Sequence, residues 1–163
     1  MKHCFYLGKK CFIVHKGGRG ISEIVPINSQ SYELYITGDK EHMMRRIKDF
    51  YKKQAQIIIT PMVIKYCEIL SIKYNKISFK DTKTRWGSAS STKNLSFSWR
   101  VIMAPTEIIE YVACHETAHL LEMNHKKSFW QICESLCPNS LAKHKWLKEN
   151  GHKFMNINFE KEY

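Results

Sequence analysis

Short alternating runs of apolar and polar residues open the chain and predict strands. Residues 3–7 and 11–15 read as two strands joined at Gly8-Lys9-Lys10. Residues 21–26 and 32–37 read as a second pair, with Tyr32, Leu34 and Ile36 on one face, and Lys16-Gly17-Gly18-Arg19-Gly20 is the turn between the pairs. From Asp39 the pattern takes a helical period. Met43, Ile47, Phe50 and Tyr51 fall on one side of a helix running to about Gln56, with Asp39 placed to cap it. Thr60-Pro61 reads as a new helix start, a capping residue followed by proline in the first turn, and Val63, Tyr66, Cys67, Leu70 and Tyr74 form its buried stripe. Alternation returns at Ile77-Ser78-Phe79, predicting strands over 77–83, 85–89 and 94–99, with a hairpin turn at 90–94. Pro105 begins another helix, with Glu107 and Glu110 near its positive end. Two further helices are expected over about 126–137 and 140–149, the second stopped at Asn150-Gly151. The polar tail to Tyr163 is expected to attach loosely. Strands and helices in separate blocks make the fold class α+β.

The helix after Pro105 carries the chemistry. Its sequence from Cys114 to His125 contains H-E-x-x-H and a third histidine six residues after the second. Positions i and i+4 lie on one helix face, so His115 and His119 can hold one metal ion. Glu116, about 100° further round, can reach a water on that ion but is poorly placed as a ligand. On an unbroken helix His125 would lie roughly 15 Å from His115. The chain must therefore break after about Leu121 and turn back, and Asn124 is expected to take the left-handed conformation that permits it. Metzincins share the histidine spacing but place glycine where Glu122 stands here.

Three neutral imidazoles leave a tetrahedral Zn²⁺ one open position for water, and zinc can bring that water's pKa to about 7. Glu116 would act as general acid/base, taking the water's proton and passing it to a leaving amine. Imidazole ligands favour zinc over magnesium or calcium, which prefer all-oxygen sites. Glu134 is a rival for the third ligand position, since glutamate serves there in some zincins. Each imidazole should donate its other N–H to a carboxylate or carbonyl, with Glu122 and Glu134 as candidates. His144 and His152 have no metal spacing to the motif and read as surface groups. Cys114 reads as a buried thiol, Cys133 and Cys137 as a helix-face thiol and a cap-region thiol, and Trp86, Trp99 and Trp130 as core. Arg85 either stabilises an oxyanion or fixes its strand to the active-site helix.

Length and composition set the outer bounds. The 163 residues fit one domain over 1–163. It divides into amino-terminal strands (1–38), helices and sheet (39–104), the metal-binding and later helices (105–150) and the tail (151–163). At 44% hydrophobic the chain can build a core. Gly8-Lys9-Lys10 cuts the apolar start too short for a signal peptide, and Thr60, Pro61, Lys65 and Glu68 exclude a membrane span at residues 57–72. Six cysteines without a C-x-x-C pair read as reduced thiols in a cytoplasmic protein. The net charge of +11 favours an acidic partner such as nucleic acid, but it is spread along the chain without a continuous tract. A nucleic-acid-associated protein, with structural zinc or with a protease acting on DNA-bound protein, is therefore the alternative to a hydrolase acting on protein or peptide substrates.

Several motifs occur together in a familiar order: Thr84-Arg85-Trp86-Gly87-Ser88-Ala89-Ser90, Asn94-Leu95-Ser96, Trp99-Arg100, Ala104-Pro105, the H-E-x-x-H stretch, Asn124-His125 and Phe129-Trp130. In this order and spacing the chain resembles the YgjP-like metallopeptidase family of predicted metal-dependent hydrolases. That family is similar in turn to the SprT-like zinc proteases, some of which cleave proteins crosslinked to DNA. The close match covers about residues 77–137, with a looser one from about residue 21. The resemblance implies a zincin-type fold with an antiparallel-rich sheet against the active-site helix. It also implies zinc held by His115, His119 and His125, with Glu116 as general acid/base. Ala89 stands where the family usually has Cys, Thr117 replaces a usual aliphatic residue, and the amino-terminal part is short by family standards. By fold analogy, strand 94–99 is expected to be the cleft edge to which an extended peptide adds.

Overall fold

The computed structural model describes residues 3–160. Leu7 and Gly8 both take positive φ, 48° and 81°, and form the two-residue turn between β1 (His3–Tyr6) and β2 (Lys9–His15). Lys9 and Lys10 therefore belong to the strand rather than to the turn. β3 (Glu23–Asn28) and β4 (Ser31–Ile36) pair antiparallel, and β4 also pairs parallel with β2, giving the order β1-β2-β4-β3. Cys4, Cys11, Leu34 and Ile36 are fully buried from this sheet.

A single helix, α1 (Met43–Leu70), covers the region expected to hold two. Asp39 instead precedes a 3₁₀ turn (Lys40–His42) and makes no side-chain cap. Pro61 lies inside the helix, where the missing N–H and the ring clash cost about 3 kcal/mol. Packing overrides that cost. Ala55, Ile59 and Val63 continue one face across the proline, all with no exposure, and each large side chain gains about 1.5–3 kcal/mol on burial. The helix ends at Ser71 in the left-handed conformation (φ 52°), with Ser71 N–H donating to Glu68 O and Ile72 N–H to Cys67 O. Tyr51 ties α1 to the first sheet, donating to Phe5 O at 2.6 Å.

The remaining strands form a second sheet: β5 (Lys76–Lys80), β6 (Gly87–Ala89) and β7 (Asn94–Ser98), in the order β5-β7-β6. β7 is central, parallel to β5 and antiparallel to β6. The expected cleft edge at 94–99 is thus paired on both sides, and the open edge nearest the active-site helix is β6. A buried 3₁₀ segment (Trp99–Met103) leads into α2 (Thr106–Ala118), followed by α3 (Lys127–Leu136), α4 (Ser140–Asn150) and α5 (His152–Met155). The β1–β2 turn holds the entry to α2. Leu7 and Gly8 donate to Ile102 O and Met103 O, and a Cβ on Gly8 would sit 3.0 Å from Pro105.

The tail is docked through residue 160, contrary to expectation; residues 161–163 lie outside the described residues. Phe154 and Phe159 are buried. Arg100, also buried, donates through Nε to Asp81 Oδ1 at 2.7 Å and through Nη1 to the carbonyls of Phe154, Met155 and Ile157. No helix among the described residues is long and apolar enough to cross a membrane.

Candidate metal centre and catalytic cleft

α2 presents His115 at its last turn and stops just beyond it. Leu120 N–H bonds back to Thr117 O, and Leu121 N–H and Glu122 N–H to Ala118 O, tightening the end and turning the chain. No residue between His119 and His125 has positive φ, so Asn124 does not supply a left-handed turn. The imidazole of His119 helps fix the turn instead, with Nδ1 3.0 Å from Glu122 O. Lys126 N–H donates to Asn124 O at 2.8 Å, a bend centred on His125.

These bends bring the three histidines to one point. The Nε2 atoms of His115, His119 and His125 stand 3.1–3.3 Å apart in all three pairs. Three imidazoles bound tetrahedrally at about 2.0–2.1 Å would place their nitrogens roughly 3.3 Å apart. The triad fits one divalent cation of that size, and among the described residues it is the cluster able to hold one. Phe129 of α3 forms an apolar floor, fully buried, its ring 4.4–4.9 Å from all three imidazoles. Burial and the neighbouring histidines push the His115 pKa down to about 3. Burial also lowers that of His119, against the pull of Glu122 O. Both imidazoles are held neutral, as metal ligation requires.

Glu134 joins neither shell of this centre. Its carboxylate accepts from Asn139 N–H and Ser140 N–H, capping α4, and these bonds hold its pKa low. The Glu122 carboxylate accepts from Ser128 Oγ, so only its carbonyl meets His119. The partner of His115 is Tyr111, one helical turn earlier, whose hydroxyl lies 2.8 Å from His115 Nδ1. The same hydroxyl lies 2.8 Å from Nδ1 of His144 on α4. His144 is therefore part of the cleft rather than a surface group. Burial, Lys148 and His125 lower its pKa.

Glu116 projects toward β6. It is buried, which raises its pKa to about 8, partly offset by the Arg85 guanidinium. A Cβ on Gly87 would stand 2.7 Å from Glu116 Cγ, so the absence of a side chain there is what admits the carboxylate. A cleft of about 280 Å³ opens beside the triad. Arg85, Trp86 and Gly87 form one wall, Tyr111, Val112, His115 and Glu116 of α2 the base, and His144, Leu147 and Lys148 of α4 the other wall. Arg85 is exposed on the cleft; the side chain that clamps the structure is Arg100. Trp99 is core, whereas Trp86 and Trp130 are half-buried. Cys114, Cys133 and Cys137 are buried free thiols, and Thr117 donates to Ala113 O within its own helix.

The family model of the YgjP-like metallopeptidase domain matches residues 1–150. The chain belongs to the YgjP-like family. As a member it is a metal-dependent hydrolase of the metallopeptidase type. None of the curated proteins matches its sequence. Among solved structures it is similar to the crystal structure of the metallopeptidase zymogen of Pyrococcus abyssi abylysin. The TM-score is 0.50 at 18% identity, covering 57% of this chain and 95% of that one, a likeness of fold.

Three residues of the YgjP-like cleft escape sequence reasoning. Tyr111 had a usable signal, standing four residues before His115 on the same helix face. Gly87 had a weaker one, a glycine inside a strand pattern. His144 had none, because only the folding of α4 against α2 brings it near.

Proposed function

We propose that this YgjP-like protein is a zinc-dependent peptidase, with His115, His119 and His125 as the metal ligands and Glu116 as general acid/base. The observation that carries the reading is the convergence of three imidazole nitrogens at tetrahedral spacing beside one buried carboxyl group. When bound, zinc acts as a Lewis acid that acidifies water and polarises a carbonyl. The protein's own part is positional and protolytic. Glu116, favoured as the carboxylate by the charge of a bound cation, then takes the proton of the attacking water and returns it to the departing amine. Tyr111 Oη and Glu122 O accept the Nδ1–H groups of His115 and His119, which fixes both rings with Nε2 as the donor atom to the metal. A peptide laid along the open edge of β6 would run beside Glu116, held by main-chain hydrogen bonds.

The test is cleavage of a peptide library by the zinc-loaded protein and by Glu116→Gln. The variant should keep about one equivalent of zinc and lose about 10²–10⁴-fold in turnover. Equal cleavage by variant and parent would refute the role given to Glu116.

A further inference from the structure

Tyr111 has a single hydroxyl proton and two imidazole neighbours, at 2.8 Å each. This fixes the direction of the chain of hydrogen bonds. A neutral His115 with Nε2 facing the triad carries its proton on Nδ1 and must donate it to Tyr111 Oη. The hydroxyl proton of Tyr111 is then directed to His144 Nδ1, which accepts. Neutral His144 must carry its own proton on Nε2. That atom has no hydrogen-bond partner among the described residues, it is not a buried orphan, and the ring lines the cleft. His144 itself stands outside the triad, its ring parallel to that of His115 at 6.3 Å between centroids. Trp130 packs edge-on against it at 5.4 Å, which restricts the ring from another side.

We propose that His144 is a further catalytic residue of this cleft: its Nε2–H donates a hydrogen bond to the carbonyl oxygen of the scissile peptide as that oxygen gains negative charge, while Tyr111 holds the ring in orientation. No proton is transferred in this role, and the donor is the same before and after the step. A donor fixed before substrate arrives needs no reorganisation when charge develops, which makes such groups effective in a water-poor site. Glu116, on the α2 floor of the cleft, is the general base, so the two side chains have separate tasks. The inference rests on the peptidase reading and deepens it.

Asparagine and glutamine divide the two ends of the histidine ring. Asparagine places its amide near the Nδ1 position and can still accept from Tyr111; glutamine reaches the Nε2 position and can still donate into the cleft. With the zinc-loaded enzyme, His144→Ala should lower kcat about 10²-fold with KM nearly unchanged. His144→Gln should recover about tenfold of that loss, and His144→Asn should not. Zinc content should stay at the parent value in all three. Affinity for a peptide phosphonate, which mimics the charged tetrahedral state, should fall in His144→Ala in parallel with kcat/KM. Nitrogen NMR of histidine-labelled protein should show His144 as the Nε2–H tautomer.

Undiminished kcat in His144→Ala would overturn the proposal. So would recovery by asparagine but not glutamine, since that marks a role confined to anchoring Tyr111. An Nδ1–H tautomer would also overturn it. If the parent cleaves no peptide, the peptidase reading fails by itself. Phosphonate affinity then decides the His144 contact, with a loss in His144→Ala supporting it and equal binding overturning it.

Discussion

Gly87 shows how closely a single position sets the geometry of this cleft. Its missing Cβ leaves room for Glu116 Cγ, which would otherwise stand at 2.7 Å. That distance is too short for a carbon contact, and Cγ lies too near the helix backbone to swing clear. Gly87→Ala should therefore move the carboxylate, lower turnover by at least about tenfold and leave zinc content unchanged; parent-like kcat/KM would contradict this. The triad was legible in the sequence because helical spacing is local: His115 and His119 share a face whatever the rest of the chain does. Glu116 was legible for the same reason. The turn that returns His125 was not. It uses backbone bonds to Thr117 and Ala118 and an imidazole bond to Glu122 O, and these leave no residue-type signature at Asn124.

At the scale of elements, local signals failed where packing opposed them. Thr60-Pro61 has the chemistry of a helix start, yet Ala55, Ile59 and Val63 bury one continuous face across it, and α1 runs on to Leu70. The strand expected to form the cleft edge, 94–99, pairs on both sides because β5 returns parallel to it, a long-range pairing that alternation cannot reveal. The tail looked loose because its few apolar residues are widely spaced, but Phe154 and Phe159 are core and Arg100 binds three carbonyls around them. Arg100→Met should thus leave Asp81 and those carbonyls unpaired. Because Asp81 is exposed and the unpaired groups are carbonyls, it should cost about 1–3 kcal/mol in chemical denaturation and speed proteolysis beyond residue 150. Unchanged stability would show that the clamp is dispensable.

Across the whole molecule, the metal-free protein carries opposing proton linkages, of which Glu116 and His115 have the largest shifts among the carboxyl groups and histidines at the site. Glu116 has a pKa of about 8 in the fold against 4.5 unperturbed. The folded chain keeps a proton that the unfolded chain releases, so this contribution to stability is complete below 4.5 and is lost as pH rises toward 8. His115 has a pKa of about 3 against 6.5, so its neutral burial costs stability as pH falls below 6.5. These two offset each other between about 4.5 and 6.5, where the lowered pKa values of His119 and His144 add a further loss as pH falls. Zinc-free protein should then lose roughly 2 kcal/mol between pH 6.5 and 8, and Glu116→Gln should abolish that alkaline loss. A zinc-free parent equally stable at both pH values would contradict this assignment. The fold class and the family were legible from motifs carried by short segments. The second wall of the cleft was not, since α4 reaches it only through tertiary packing. The most direct test of the metal centre is the zinc K-edge X-ray absorption spectrum of the loaded protein. We expect three imidazole nitrogens at about 2.0–2.1 Å with one further light ligand, and one imidazole fewer in His125→Ala. A sulfur shell near 2.3 Å, or a spectrum unchanged in His125→Ala, would contradict the triad.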